Sequence, residues 1–342
     1  MARKIETNPT LKDLADAAGI SVAAVSKVLN NREGVSATNR ARVARVAAEI
    51  GYRGRGGRLT AQPRLDTAVV ATLAKYVTND AFYSEILDGL VRNAKEEGLA
   101  LDLAILTGTD LSSPDYAPLL EANGGGILLV GVDDPDLVTA IHKTGRPTVL
   151  VNGMDRRMRV SSVSPDYNFG GWLATQHLLD LGHRDIVHVT HVYRESLRRR
   201  LLGFRDALEE AGIAFTPEQH VLDVGAPDML TISCRERVSQ WIAARRTMPT
   251  AFFCANDMVA LGVMQAVVET GRSVPRDVSV IGFDGLKLGE HAAPPLTTMA
   301  MDAAQMARTA IQLLQSVHES RAVRRVALGV SFLERDSTAP RR

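Results

Sequence analysis

Apolar residues recur through the first fifty positions at the three- and four-residue spacing of amphipathic helices. Leu11, Leu14, Ala15 and Ala18 form one stripe, Val25, Val28 and Leu29 a second, and Val43, Val46, Ala47 and Ile50 a third. Thr10 with Asp13 three residues on is a capping-box pattern, Gly19 offers a turn, Ser21 and Ser36 cap the next two helices, and Gly51 stops the last. Two short helices joined by a glycine turn, with a third behind them, predict a helix-turn-helix unit. Its second helix leaves Val22, Ala23, Ser26 and Lys27 away from its own apolar stripe. The competing reading, three ordinary helices of a larger core, is weakened by that small, alanine-rich outer face and by the charge considered below.

From Thr67 the pattern changes. Short β-prone runs at 68–74, 99–106, 126–130, 148–151, 186–190, 251–255 and 278–283 alternate with helical patterns at 82–97, 134–144, 170–181, 200–211, 232–245 and 257–270, most of them closed by a glycine. Repeated βα units predict an α/β fold with parallel sheets covered on both faces. Some 260 residues of this exceed what one sheet requires, so two similar lobes with a cleft between them are expected.

Charge sharpens the division. Residues 1–64 hold twelve Lys/Arg against five acids, about +7, while the chain as a whole is +1. A basic end on an otherwise acidic chain is suited to a polyanion such as duplex DNA. The first ten residues lack the apolar core of a leader, and no stretch approaches the roughly eighteen apolar residues of a membrane span, so a cytoplasmic protein with no membrane partner is expected. The cysteines, Cys234 and Cys254, sit in apolar or helical settings and read as buried thiols. No two histidines stand at metal-ligand spacing with a carboxylate, G-x-S-x-G and H-E-x-x-H are absent, and Gly124-Gly125-Gly126 lacks the lysine and Ser/Thr of a phosphate loop. The expectation is a non-enzyme with no metal and no cofactor. Trp172, Trp241, His177 and His183 read as structural.

Thr10 to Asn30, Gly34-Val35-Ser36, Ile50-Gly51-Tyr52, Asn79–Tyr83, Asp166 with Gly170-Gly171, Arg200–Phe204, Asn256–Gly262, Val274–Asp284 and Pro294–Thr298 together resemble the LacI/GalR-type transcriptional regulators over nearly the whole chain. The resemblance implies a helix-turn-helix headpiece at 1–53, a hinge or linker at 54–66, and a periplasmic-binding-protein-like core at 67–342. That core would cross three times between an N-lobe, about 67–166 and 296–325, and a C-lobe made of the rest. It also implies a homodimer on a pseudo-palindromic double-stranded DNA operator. In the headpiece, Val22, Ala23 and Lys27 are expected to read bases, and Thr10, Ser21, Ser26 and Asn30 to hold phosphates.

In the cleft, the resemblance assigns Phe82 and Tyr83, with Ile86 one turn on, to wall the effector; the alternative is a packing pair at a helix start. Arg200 matches the family arginine that reaches the ligand, with a fork able to clamp hydroxyls or a carboxylate. Asn256 and Asp284 stand at C-terminal ends of strands, where open α/β sheets meet ligand, and Asp257 reads as a helix cap. Asp166 and Phe169 are further candidates. A sugar or sugar derivative suits this set, and a nucleobase remains open.

The chain departs from the family after Tyr52, reading Arg53-Gly54-Arg55-Gly56-Gly57-Arg58 where relatives continue into a hinge helix. Each glycine costs a helix roughly 1 kcal/mol relative to alanine. Arg53, Arg55 and Arg58 either enter a narrow minor groove as an extended arm or serve as a tether that contacts phosphates without preference. Two function classes follow: a ligand-responsive DNA-binding regulator, most often a repressor, or a cytoplasmic small-molecule binding protein or enzyme on the same α/β core. The second leaves the basic headpiece without a purpose.

Overall fold

Thr10 begins the first helix, α1 (Leu11–Ala18), by a reciprocal cap: its hydroxyl accepts from Asp13 N at 3.3 Å while its own N–H donates to the Asp13 carboxylate at 2.7 Å. The structure, a computed structural model, describes residues 9–29, 34–50, 52, 64–78, 81–107, 111, 114–121, 125–191, 194–225, 230–245 and 247–341. The chain divides into two compact units, Met1–Arg64 and Leu65–Arg342.

In the first unit, Gly19 ends α1 at a φ of 65°, a left-handed conformation that glycine adopts at no steric cost, and turns the chain into α2 (Val22–Leu29). Ser21 caps α2 by accepting from Ala24 N at 3.2 Å, and Ser36 caps α3 (Ala37–Ile50) by accepting from Asn39 N at 3.3 Å. Leu14, Ala15, Ala18, Val25, Val43, Val46 and Ala47 form the small core, with Leu11, Ile20, Val28, Leu29, Ile50 and Tyr52 packed around it.

The second unit is two six-stranded sheets with helices on their faces. The first lobe comprises β1 (Thr67–Leu73), α4 (Ala74–Thr78), α5 (Ala81–Glu96), β2 (Ala100–Leu106), α6 (Ala117–Leu120), β3 (Gly126–Val130), α7 (Pro135–Thr144), β4 (Thr148–Val151) and β5 (Ser161–Pro165). The second runs through α8 (Tyr167–Asp180), β6 (Ile186–Thr190), α9 (Glu195–Glu210), α10 (Pro217–His220), β7 (Val221–Asp223), α11 (Leu230–Ala243), β8 (Ala251–Cys254), α12 (Asp257–Glu269), β9 (Ser279–Asp284) and β10 (Thr297–Ala300). The chain then returns to the first lobe for α13 (Ala303–Ser320) and β11 (Arg325–Leu328), and ends in the second with β12 (Ser331–Leu333). Strand orders are β11-β5-β4-β3-β1-β2 and β12-β10-β9-β8-β6-β7, all neighbours parallel except β10 with β12.

The chain therefore passes between lobes three times, after β5, β10 and β11. Thr297–Ala300 pairs with β9 in register Thr298↔Gly282 and belongs to the second lobe. The return to the first lobe thus begins at α13 rather than near 296, and it extends through Leu328, which pairs with Pro165. The seven strands expected from apolar runs are present within one or two residues. β5, β7, β10, β11 and β12 carry no such run; β5 is Ser-Ser-Val-Ser-Pro, and it is buried by its neighbours and not by its own apolarity. α13 buries Met306, Ala307, Ala310, Ile311 and Leu314 against the first sheet, a stripe the coarse reading leaves unassigned.

One packing detail positions the cleft. α8 and α9 cross closely because Gly171 faces the carbonyl of Arg200 and Gly203 faces that of Asn168; a Cβ at either would fall 2.4 Å and 1.9 Å from those oxygens. Glycine there lets α9 lie low enough over the sheet for Arg200 to reach the strand ends. His183 ties the C-terminal tail to the second lobe, its ring nitrogens 3.0 Å from Thr250 and Ser279 hydroxyls, consistent with a structural role.

Candidate functional site

The outer face of α2 carries Val22, Ala23 and Lys27, all exposed, with Ser26 half-buried beside them. Val25 is fully buried on the opposite side, so the helix presents to solvent the side chains expected to meet base edges. The hydroxyl of Thr10 is committed to the cap, donating to Asp13 at 2.7 Å, whereas Ser21 spends only its acceptor on Ala24 and keeps its donor. Asn30, Arg53, Arg55 and Arg58 lie outside the described residues.

Between the lobes a pocket is lined by Tyr76, Phe82, Tyr83 and Asn152 of the first and by His191, Arg194, Ser196, Leu197, Arg200, Asn256 and Asp284 of the second. Its floor follows from topology, since Asn152, His191, Asn256 and Asp284 each stand at or just beyond the C-terminal end of a parallel strand.

Arg200 is 4% exposed, with its guanidinium carbon 3.9 Å from the centre of the Phe283 ring and 4.8 Å from that of Tyr167. It donates to the Ala255 carbonyl and, at 3.2 Å, to Asp284 Oδ1. Asp284 adopts a φ of 123°, a region costly for any residue with a Cβ, by about 1–3 kcal/mol. That conformation turns its carboxylate toward Arg200. Asn256, at the helix start, accepts from Val259 N through Oδ1 at 2.8 Å, which leaves its amide N–H groups for the pocket. Asn256 is therefore the cap of α12, in place of Asp257. Asp257 turns into the interior, fully buried, and accepts from the Thr298 hydroxyl and Leu286 N, both at 2.6 Å. Burial pushes its carboxyl up to about 6 against those hydrogen bonds.

Across the cleft Tyr76 and Tyr83 stack with ring centres 3.9 Å apart, and Phe82 meets Tyr83 edge-on at 5.3 Å. Arg194 spans the gap from the second lobe: it donates to the Tyr83 hydroxyl, to Tyr76 at 3.4 Å and to the Asn152 carbonyl at 2.6 Å, and lies 3.6 Å from Asp133. Asn152 donates to Tyr83 at 2.8 Å and accepts from Tyr167. Burial and then the charge of Arg200 hold His191 at about 4, so its ring is neutral near pH 7. Two buried polar atoms of the pocket, Arg194 Nε and Arg200 Nε, have no hydrogen-bond partner among the described residues, Arg194 Nε keeping only the longer ion pair to Asp133 Oδ1 at 3.6 Å. Each such atom costs about 1–3 kcal/mol, and such groups collect where a ligand completes the set.

Of the sequence candidates, the pocket brings together Phe82, Tyr83, Arg200, Asn256 and Asp284. Ile86 is fully buried in the first-lobe core, Asp166 caps α8 by accepting from Phe169 N at 3.1 Å, and Phe169 is 52% exposed and stacked on Trp172. These three do not line it. Sequence reasoning missed Tyr76, Asn152, His191, Arg194, Ser196 and Leu197. The strand-end rule applied to Asn256 also fits Asn152 after β4 and His191 after β6. Nothing in the periodicity distinguishes Arg194 from Arg198 and Arg199.

Residues 10–54 match the family model of bacterial regulatory proteins of the lacI family, and residues 175–338 that of the periplasmic binding protein-like domain. The ribose operon repressor of Haemophilus influenzae is 30% identical over 319 residues, covering 89% of this chain and 90% of that protein. The transcriptional repressor PurR of Vibrio parahaemolyticus is 30% identical over 309 residues with the same coverage. Among solved structures, the transcriptional regulator CelR in complex with cellobiose superposes with a TM-score of 0.71 at 27% identity, covering 96% of this chain and all of that one. A lac repressor dimer bound to operator and an anti-inducer gives 0.70 at 26% identity, covering 97% and 100%. With the capped headpiece, the twice-built α/β core and these likenesses along its length, the chain belongs to the LacI family of bacterial transcriptional regulators.

Proposed function

We propose that this chain is a repressor that binds a pseudo-palindromic operator as a homodimer and is controlled by a sugar or sugar derivative held between its lobes. The observation that carries the effector site is the pair of buried guanidinium Nε atoms, on Arg194 and Arg200, that lack hydrogen-bond partners among the described residues in the pocket where both lobes meet. A polyhydroxylated ligand supplies both donors and acceptors, which Asp284 and the two guanidinium groups match, and Phe82 with the stacked tyrosines gives it an apolar wall. Related solved structures hold sugars, cellobiose with CelR and ribose with a regulator from Enterococcus faecium, which supports the class.

Lys27, Val22 and Ala23 read base edges in this proposal, and Ser21, Ser26 and Asn30 engage phosphates, while Thr10, whose donors go to Asp13, holds the cap. Effector acts by population shift: it binds one lobe angle better than the other, and that angle is coupled to the two headpieces of a dimer, with coupling typically about 1–3 kcal/mol per site. The relatives are transcriptional repressors, and the reading assigns this chain no catalytic activity.

Two measurements test it. Affinity for duplex DNA should fall steeply with salt, and a thermal-shift screen over sugars, polyols and nucleosides should yield a stabilising ligand whose effect Arg200→Ala removes. A nucleobase or nucleoside as the sole stabiliser would replace the sugar assignment, and salt-independent or absent DNA binding would refute the regulator.

A further inference from the structure

At the start of α9, arginines from both lobes gather on one buried carboxylate. Glu195 accepts from Arg156 Nε at 2.8 Å, from Arg198 Nε at 3.0 Å and Nη2 at 2.8 Å, and from Arg199 Nε at 3.2 Å. Arg156 belongs to the loop between β4 and β5 in the first lobe; Arg198 and Arg199 follow Glu195 on α9 in the second. Against the upward push of burial, the hydrogen bonds from Arg198 and Arg156 hold Glu195 at about 2, so it is fully ionised.

Three guanidinium groups thus face one carboxylate, Glu195, leaving two positive charges uncompensated among these groups. A single carboxylate cannot use all the donors, because each guanidinium carries five. The Nη1 groups of Arg156, Arg198 and Arg199 take no part in the bonds to Glu195. The three side chains remain 65%, 40% and 30% exposed. Glu195 therefore acts as a bracket that holds the arginines together while their outer donors face solvent. Ordinary surface arginines avoid one another; here the fold holds like charges together on the seam where the lobes meet.

We propose that this seam binds a phosphate-bearing small molecule, with Arg156 of one lobe and Arg198 and Arg199 of the other sharing its oxygens. A dianion matches the two uncompensated charges, and planar guanidinium forks suit tetrahedral oxyanions with several acceptors. Because both lobes contribute, the anion stabilises the lobe arrangement that gathers the three arginines. This site is distinct from the effector pocket, whose Arg194 and Arg200 are bonded to other partners, and it does not depend on the effector assignment.

The test is calorimetric titration of the full chain with sodium pyrophosphate, ionic strength held constant with sodium chloride. One saturable equivalent per chain is expected, together with a rise in melting temperature as ligand binds the folded state. Arg156→Gln and Arg198→Gln should each weaken binding about tenfold or more, since each removes a charge-assisted hydrogen-bond donor. Arg198→Lys, which keeps the charge but not the fork, should lose severalfold. Arg200→Gln should leave the affinity within about twofold. Absence of saturable binding would overturn the proposal, and so would a loss in Arg200→Gln as large as in Arg156→Gln, which would place the anion in the effector pocket. Circular dichroism melts of each variant verify that a lost signal is not lost folding, and Arg156, being mostly exposed, is the variant least exposed to that ambiguity.

Discussion

Replacing Gly203 by alanine sets two effects of known sign against each other. In an unconstrained helix the substitution stabilises by about 1 kcal/mol, because alanine loses less backbone entropy than glycine. At this position the new Cβ would lie 1.9 Å from the carbonyl oxygen of Asn168 and 2.7 Å from Trp172 N, both backbone atoms of α8 that cannot rotate aside. An ordinary carbon–oxygen contact needs about 3.3 Å, so the helices must separate by more than about 1 Å. Overpacking of this kind costs typically about 1–3 kcal/mol and occasionally more, which outweighs the helical gain. A net loss of up to about 2 kcal/mol follows, or a fall in melting temperature of up to several degrees at roughly 2–4 °C per kcal/mol for a core this size. Thermal melts followed by far-ultraviolet circular dichroism measure it. Gly171→Ala should fall in the same direction, because its Cβ would meet the Arg200 carbonyl at 2.4 Å, and the two losses should not add, since one separation of the helices relieves both. A rise in melting temperature of Gly203→Ala by the amount helix propensity alone gives would refute the claim that close approach of α8 and α9 sets the height of Arg200.

Lys27→Ala should remove about 1–3 kcal/mol of discrimination at one position of each half-site, read as a changed preference in footprinting, and an unchanged preference would take Lys27 out of the reading face. Arg200→Ala and Asp284→Ala should abolish the response to effector while operator binding persists, because both lie in the cleft and neither is in the headpiece; wild-type effector affinity by calorimetry in both variants would count against the site. Asp257 predicts a pH dependence: its folded carboxyl titrates at about 6 against an ordinary 3.8, so it favours the folded state below pH 4 and that advantage is lost as pH rises through 6. A shift of about two units corresponds to about 3 kcal/mol, and the stability difference between wild type and Asp257→Asn should decline by that order between pH 3.5 and 7; a difference flat with pH would mean that Asp257 titrates normally.

The headpiece was almost wholly legible in the sequence, since its caps, glycine turn and apolar stripes are local signals that act within four residues of one another. Six of the seven strands expected from apolar runs were legible for a similar reason: they lie inside the sheets, and a strand covered on both faces must be apolar along its length, which leaves a continuous run, whereas β2 is an edge strand that carries such a run although most of it is exposed or half-buried. Phe82, Tyr83, Arg200, Asn256 and Asp284 could be named from their places at helix starts and strand ends and from the family resemblance. Tertiary structure decided the rest. β5, β10 and β11 are strands because neighbours pair with them, β5 and β10 being buried in the process, and their own side chains do not announce it. The cap of α12 fell to Asn256 because the buried pocket of Thr298 and Leu286 donors claims Asp257, residues far apart in the chain. Arg194, Arg198 and Arg199 are alike in sequence, and only the packing of α9 between the lobes sends one across the cleft and the other two onto Glu195. Local sequence fixes what a segment can become through its own backbone and nearest side chains; which of several identical side chains meets which partner depends on distances that exist only after the chain has crossed between its lobes three times.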